Sequence, residues 1–240
     1  MSQPTSEICY GPMKSGKSRH LIAQAEAMAT QSRAFLAFKP RQDTRDGCFI
    51  RSRDPGSRSV EALVINQAQE ILEYVTLYQA HPQRFRTRLE GLCPQPDTLT
   101  LSEALTGLSP LVACLIDEVF LLDSALIEVM NSLMAQGISV YLSGLDRDFR
   151  CEYFPLRDYD KQGLTMQQVI QACQKSYLLT AACEECGEEA PYTLRLINGL
   201  PAPYHSPTIL IGDEEYQARC QTHHALASQP VYAVQAKAFA

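Results

Sequence analysis

The residues with the plainest chemical purpose form one run near the start of the chain, Gly11-Pro12-Met13-Lys14-Ser15-Gly16-Lys17-Ser18, which satisfies the pattern GxxxxGK[ST]. Glycines let such a loop curl until successive backbone N–H groups face one phosphate chain, and the following helix N-terminus adds partial positive charge. Lys17 would reach the outer phosphates, and Ser18 would offer a hydroxyl to Mg²⁺. A glycine-bearing turn can mimic the string. Here it sits between an apolar run, Glu7 to Tyr10, and an amphipathic helical pattern, the context a nucleotide loop requires. A second cluster follows the apolar run Leu111 to Ile116, where Asp117 and Glu118 stand side by side. An acid at the C-terminal end of a buried parallel strand faces the crevice where such sheets bind ligands, so Asp117 is a candidate Mg²⁺ ligand. Glu118 could take a proton from an attacking hydroxyl, or serve only as a helix cap or a solvated acid.

Cys183-Glu184-Glu185-Cys186 and Cys220-Gln221-Thr222-His223 are two short-spaced ligand pairs separated by residues 187–219. Thiolate and imidazole donors at this spacing suit the closed tetrahedral coordination of structural Zn²⁺. His223 keeps the spacing of the first pair, although His224 could serve. Redox chemistry by Cys183 and Cys186 is the rival reading, which the second pair disfavours. The remaining cysteines, Cys9, Cys48, Cys93, Cys114, Cys151 and Cys173, lie singly and read as small apolar residues.

These groups need a framework. The chain has 240 residues, 45% hydrophobic and 20% charged, enough for one large domain with a small appendage. Its formal charge of −6 and lack of a long basic run argue against tight nucleic-acid binding, which depends on neutralising phosphates. Glu184, Glu185, Glu188 and Glu189 beside the first cysteine pair argue against a nucleic-acid-binding zinc ribbon in particular. No apolar run approaches the ~20 residues of a membrane helix, and the start of the chain lacks the pattern of a secretory signal. The expectation is a cytoplasmic protein with no membrane partner.

Apolar runs alternate with helical patterns, the signature of an α/β fold with a parallel sheet. Strands are expected at Glu7 to Tyr10, Ala34 to Lys39, Leu111 to Ile116, Ile138 to Ser143 and Tyr177 to Ala182. Helices are expected over Ser18 to Thr30, with Leu21, Ile22, Ala25 and Met28 inward, and over Asp123 to Gln136, with Leu126, Ile127, Met130 and Leu133 inward. Residues 66–110 hold one helical pattern (Ala68, Ile71, Leu72, Val75, Tyr78), and then a stretch from His81 to Asp97 without a clear period, read as a surface insertion. After Ala182 the texture turns to Cys, Gly and Pro, so a boundary is expected near residue 180, dividing a nucleotide-binding domain (1–180) from a zinc-ribbon domain (181–240).

Taken together and in order, GPMKSGKS from Gly11, FKPRQDTR from Phe38, SRDPG from Ser52, LIDE from Leu115, GLDRDFR from Gly144 with Phe154 beyond it, CEECGEEAPYTLRL from Cys183 and EEYQARC ending at Cys220 resemble the thymidine kinase family, the P-loop type with a zinc-bearing lasso. The resemblance covers most of the chain. It implies a P-loop NTPase-like parallel sheet with a small zinc-ribbon and lasso domain, and transfer of the γ-phosphate of ATP to the 5′-hydroxyl of thymidine. It implies that Lys17, Ser18 and Asp117 serve phosphates and Mg²⁺, and that Glu118 is the general base. It implies that the residues enclosing the base are Met13, Leu145, Phe149, Phe154, Thr193 and Tyr216, with backbone groups of the lasso, about 203–212, holding its edge. A homotetramer is the family's assembly.

Four positions depart from the family's pattern. Lys14 replaces an aromatic residue, Arg53 replaces a His, Val119-Phe120-Leu121 replaces a Gln-aromatic sequence, and Ile211-Gly212 replaces a Gly-Gly pair. Two other functions fit the motifs: a divergent P-loop kinase or ATPase for another small hydroxyl substrate, and a weakly active nucleotide-binding regulator.

Overall fold

The computed structural model describes residues 3–53, 58–89, 97–105, 110–209 and 216–225. Its strands are β1 (Ser6–Tyr10), β2 (Ala34–Pro40), β3 (Phe49–Ile50), β4 (Ser59–Glu61), β5 (Leu63–Ile65), β6 (Thr98–Leu99), β7 (Leu111–Ile116), β8 (Ser139–Gly144) and β9 (Lys175–Leu178), followed by β10 (Ala181–Ala182), β11 (Glu189–Ala190), β12 (Tyr192–Ile197), β13 (Leu200–Pro201) and β14 (Tyr216–Arg219). The helices are α1 (Lys17–Thr30), α2 (Glu70–Ala80), α3 (Pro82–Leu89), α4 (Leu101–Ala104), α5 (Ala125–Ala135), α6 (Tyr159–Gln162) and α7 (Met166–Ala172).

Six strands form one parallel sheet in the order β5-β2-β7-β8-β1-β9. All seven residues of β2 are buried and five of six in β7, which explains why these strands read as continuous apolar runs: helices cover both faces of a parallel sheet, so no alternation is needed. Helix α1 buries Leu21, Ile22, Ala25 and Met28, as its spacing predicts. Helix α5 buries Leu126, Val129, Met130 and Leu133, with Ile127 at the margin of the core. The order places β8 between β1 and β7, so the loop after β1 and the acids after β7 open at the same sheet end, one strand apart.

Several elements differ from the sequence expectation. The run Tyr177 to Ala182 is two strands, β9 in the central sheet and β10 paired with β11. The chain leaves the sheet after Leu179, whose N–H still bonds the Tyr10 carbonyl at 2.8 Å. Within His81 to Asp97 the structure has helix α3. Arg84, Arg86 and Arg88 hide its period, and it is held by Phe85, buried edge-on against Tyr74 and Tyr78. Strand β5 and the small β3-β4-β6 sheet are too short to show a period of their own. Cys93 lies outside the described residues; Cys9 and Cys114 are buried, and Cys48, Cys151 and Cys173 partly so. No helix among the described residues is long and apolar enough to cross a membrane.

Candidate active site

Loop 11–18 depends on two glycines. Gly11 has φ 141°, and a Cβ there would lie 2.0 Å from the Leu179 carbonyl oxygen, so no side chain fits. Gly16 precedes α1 with φ 85°, a left-handed position that costs glycine little. Lys17 is buried, and its ammonium donates to the Pro12 carbonyl and, at 3.3 Å, to Ser15 Oγ. Burial pulls its pKa down, opposed by the charges of Glu118, Asp117 and Asp146.

Ser18 Oγ donates to Asp117 Oδ2 at 3.2 Å, while Asp117 Oδ1 accepts from Ser143 Oγ and, at 3.0 Å, from the Glu118 N–H. Burial, with the charge of Glu118, pushes the Asp117 carboxyl up to about 6 despite these donors. A buried carboxylate sharing a hydroxyl ligand with the loop is a hard-oxygen donor set that suits Mg²⁺. Glu118 takes a left-handed backbone, φ 49° and ψ 44°, a conformation costing a non-glycine residue about 1 kcal/mol or more and often kept at functional sites. Its carboxylate pairs with Arg45 Nη2. Arg45 Nε is in turn fixed by Asp43 Oδ1 at 2.7 Å, and Asp43 by buried Lys39 at 3.1 Å. Burial raises the Asp43 carboxyl, but Arg45 and Lys39 more than offset it and hold its pKa below the usual value. Arg45 is burdened by the same burial, yet Glu118 and Asp43 push its pKa upward.

Of these groups, Lys17, Ser18, Asp43, Arg45, Asp117 and Glu118 open into one cavity of about 530 Å³, within the range of small-ligand sites. Lys17, Ser18, Asp117 and Glu118 line one end, and the walls include Met13, Leu145, Phe149, Phe154, Thr193 and Tyr216. Thus the residues expected to enclose a base, separated by more than 200 positions along the chain, share one space with the loop. The ring of Phe154 is fixed by Phe120, with centroids 4.5 Å apart, and the Met13 N–H donates to Thr193 Oγ1 at 3.1 Å.

The ligand atoms of Cys183, Cys186, Cys220 and His223 all lie within 4.8 Å of one another. Cys186 Sγ is 3.7 Å from Cys220 Sγ, and His223 Nδ1 is 3.3 and 3.8 Å from the sulfurs of Cys220 and Cys183. Tetrahedral Zn²⁺ with Zn–S bonds of about 2.3 Å requires S···S edges of roughly 3.8 Å, so these residues fit the metal. His224 turns away, its Nε2 3.1 Å from the Phe149 carbonyl oxygen.

The model of a family described as thymidine kinase matches residues 5–81 and 95–224. A thymidine kinase of Mycoplasmoides gallisepticum is 34% identical over 94% of this chain and 83% of its own length. One of Thermococcus kodakarensis is 32% identical over 93% of this chain and 95% of its own length, and one of Ureaplasma parvum 31% over 93% and 84%. The chain belongs to the thymidine kinase family. The family match passes over residues 82–94, the stretch that includes α3.

Against the family's pattern, Lys14 has φ 63° and pairs with Glu184 at 2.9 Å, tying loop 11–18 to the cysteine-bearing unit. Arg53 lines the cavity 3.7 Å from Asp46. Val119–Leu121 form a buried 3₁₀ turn in which Phe120 supports Phe154. Ile211 and Gly212 lie outside the described residues. Sequence reasoning gave no role to Ser143, Asp43 or Arg45. FKPRQDTR carried a signal, three cations around one acid, but only the fold brings Arg45 against Glu118, 73 positions away.

Proposed function

We propose that this chain transfers the γ-phosphate of ATP to the 5′-hydroxyl of thymidine, and that it does so through the cavity between loop 11–18 and the C-terminal unit. The observation that carries the reading is a single cavity with Lys17, Ser18, Asp117 and Glu118 at one end and Phe149, Phe154, Leu145 and Tyr216 around the rest. Phosphoryl transfer needs positioning and charge neutralisation more than covalent chemistry. Loop N–H groups and Lys17 would hold the outer phosphates. Ser18 and Asp117 would hold Mg²⁺, which supplies neutralisation of the phosphate charge when bound. Glu118 would accept the 5′-hydroxyl proton, and Arg45, locked by Asp43, fixes the direction of that carboxylate. The apolar walls exclude water from the transferring group and receive the base.

Zn²⁺ at Cys183, Cys186, Cys220 and His223 would be structural, since four protein donors leave no open position. The division at residue 180, from the change in residue texture, a cytoplasmic location, from the sequence pattern, and a homotetramer, from family likeness, are part of the same proposal. The deciding experiment incubates purified protein and Mg-ATP with thymidine, deoxyuridine, deoxycytidine and deoxyguanosine. Thymidine 5′-monophosphate is the expected main product. ATP hydrolysis with no nucleotide product would overturn the reading in favour of another hydroxyl substrate.

A further inference from the structure

The wall of the cavity includes Thr208 and Ile209, which belong to a segment with little apolar anchorage: Leu200 is 69% exposed and Ile209 41%, although Ala202 is buried. Two arginines from separate parts of the chain grip this segment instead. Arg150, in the loop after β8, donates from Nε to the Tyr204 carbonyl at 2.7 Å and from Nη2 to the Ser206 carbonyl at 2.6 Å. Its Nη1 reaches Thr208 Oγ1 at 3.2 Å and Asp148 Oδ2 at 2.7 Å. Asp148, 4% exposed, also accepts the backbone N–H groups of Arg150 at 2.8 Å and Glu152 at 3.3 Å, which fixes the turn that carries the arginine. Arg195, in β12 and 2% exposed, donates from Nη1 to the Pro207 carbonyl. Both guanidinium carbons lie over the Phe149 ring, at 4.5 Å for Arg150 and 5.0 Å for Arg195.

We propose that Arg150 and Arg195 are positioning residues that clamp residues 204–208 onto Phe149 and so set the shape of the base-binding end of the cavity. The proposal rests on the thymidine reading above. Its physical basis is the planar guanidinium, which spreads its donors over three nitrogens in a fixed fork and stacks on an aromatic face, whereas the three donors of an ammonium radiate from one nitrogen and cannot span acceptors set so far apart. Three of the acceptors are main-chain carbonyls, so the grip depends on the path of the segment rather than on its side chains. Phe149 is held by the same stacking, which couples the cavity wall to the segment behind it.

The test uses full-length, zinc-loaded protein with Arg150→Lys, Arg150→Gln and Arg195→Lys. Amide hydrogen exchange of a peptide covering residues 200–209 is measured beside one covering α1, with steady-state kinetics for thymidine and ATP. Arg150→Lys should speed exchange of the 200–209 peptide and raise the thymidine KM, each by about tenfold, with kcat within about threefold and the ATP KM within about twofold of the parent. Arg150→Gln should do more, and Arg195→Lys should move the same two readouts. Exchange in α1 should not change. Unaltered exchange at 200–209, or faster exchange with an unaltered thymidine KM, would overturn the proposal. A parallel rise in both KM values, or lost protection in α1, would also overturn it by showing a general structural role. If the parent protein fails to phosphorylate thymidine, the functional reading falls, while the exchange data still decide whether the arginines hold the segment.

Discussion

At the proposed phosphate end of the cavity, loop 11–18 stands on a sheet whose strands and flanking helices share one apolar core running from Ile8 to Val169. The proposed nucleoside end is roofed by a unit whose separate apolar cluster, among the described residues, is four small side chains, Cys183, Ala190, Ala218 and Cys220. Burial of roughly 25 cal/mol per Å² orders the first region without help. Among the described residues the second buries far less apolar surface of its own, and it is tied by polar links: the Cys/His cluster, Thr193 to the Met13 N–H, Lys14 to Glu184, and Arg150 to the Tyr204 and Ser206 carbonyls. Chemistry placed on a packed sheet should therefore fail through kcat when a side chain is removed. Recognition placed on a stapled unit should fail through KM when a staple is removed.

The largest loss is expected at Lys17. Lys17→Ala should lower kcat by ~10³ or more, the scale of removing a principal charge stabiliser from phosphoryl transfer, and leave metal content unchanged. Metal analysis with single-turnover kinetics checks both halves. Glu118→Gln should lower kcat by about 10² or more with an unchanged ATP KM, and a variant retaining near-parental kcat would remove Glu118 as the base.

Asp117 sharpens the contrast through pH. With its carboxyl pushed up to about 6, kcat/KM at limiting Mg²⁺ should fall about tenfold per unit below that pH, and added Mg²⁺ should shift the limb downward, because the cation favours the carboxylate. For stability the sign is opposite. A carboxyl with its folded pKa raised above the unfolded value contributes stability that is fully present below about pH 4 and lost as pH rises through about 6. A pH profile of Asp117→Asn melting, flatter than the parent's over that window, is the expected result.

Cys186→Ser tests the stapled unit. It should lose the expected one zinc per chain and raise the thymidine KM by roughly tenfold while the ATP KM stays within about twofold. Equal zinc and an unchanged thymidine KM would return these cysteines to a packing or redox role. The smallest effect belongs to Lys14→Ala: both partners of its ion pair with Glu184 are over a third exposed, so less than about 1 kcal/mol of stability should be lost in thermal melts.

Local spacing already determined a great deal about this protein. The loop, the α1 face, the acid pair after β7 and the two ligand pairs were legible because each is a contiguous pattern whose chemistry follows from residue type and interval. Short strands such as β5, and helix α3 with its alternating arginines, were not, because two to eight residues carry no readable period. The tertiary structure alone decided which distant groups meet. The sheet order β7-β8-β1 sets Ser143 against Asp117, the turn after β2 brings Arg45 onto Glu118, and the C-terminal strands bring Thr193 and Tyr216 into one cavity with Phe149. Sequence periodicity reports which face of an element is buried, and it says nothing about which strand lies beside which. Crossovers and loop closure settle that, and with it the cavity these residues share.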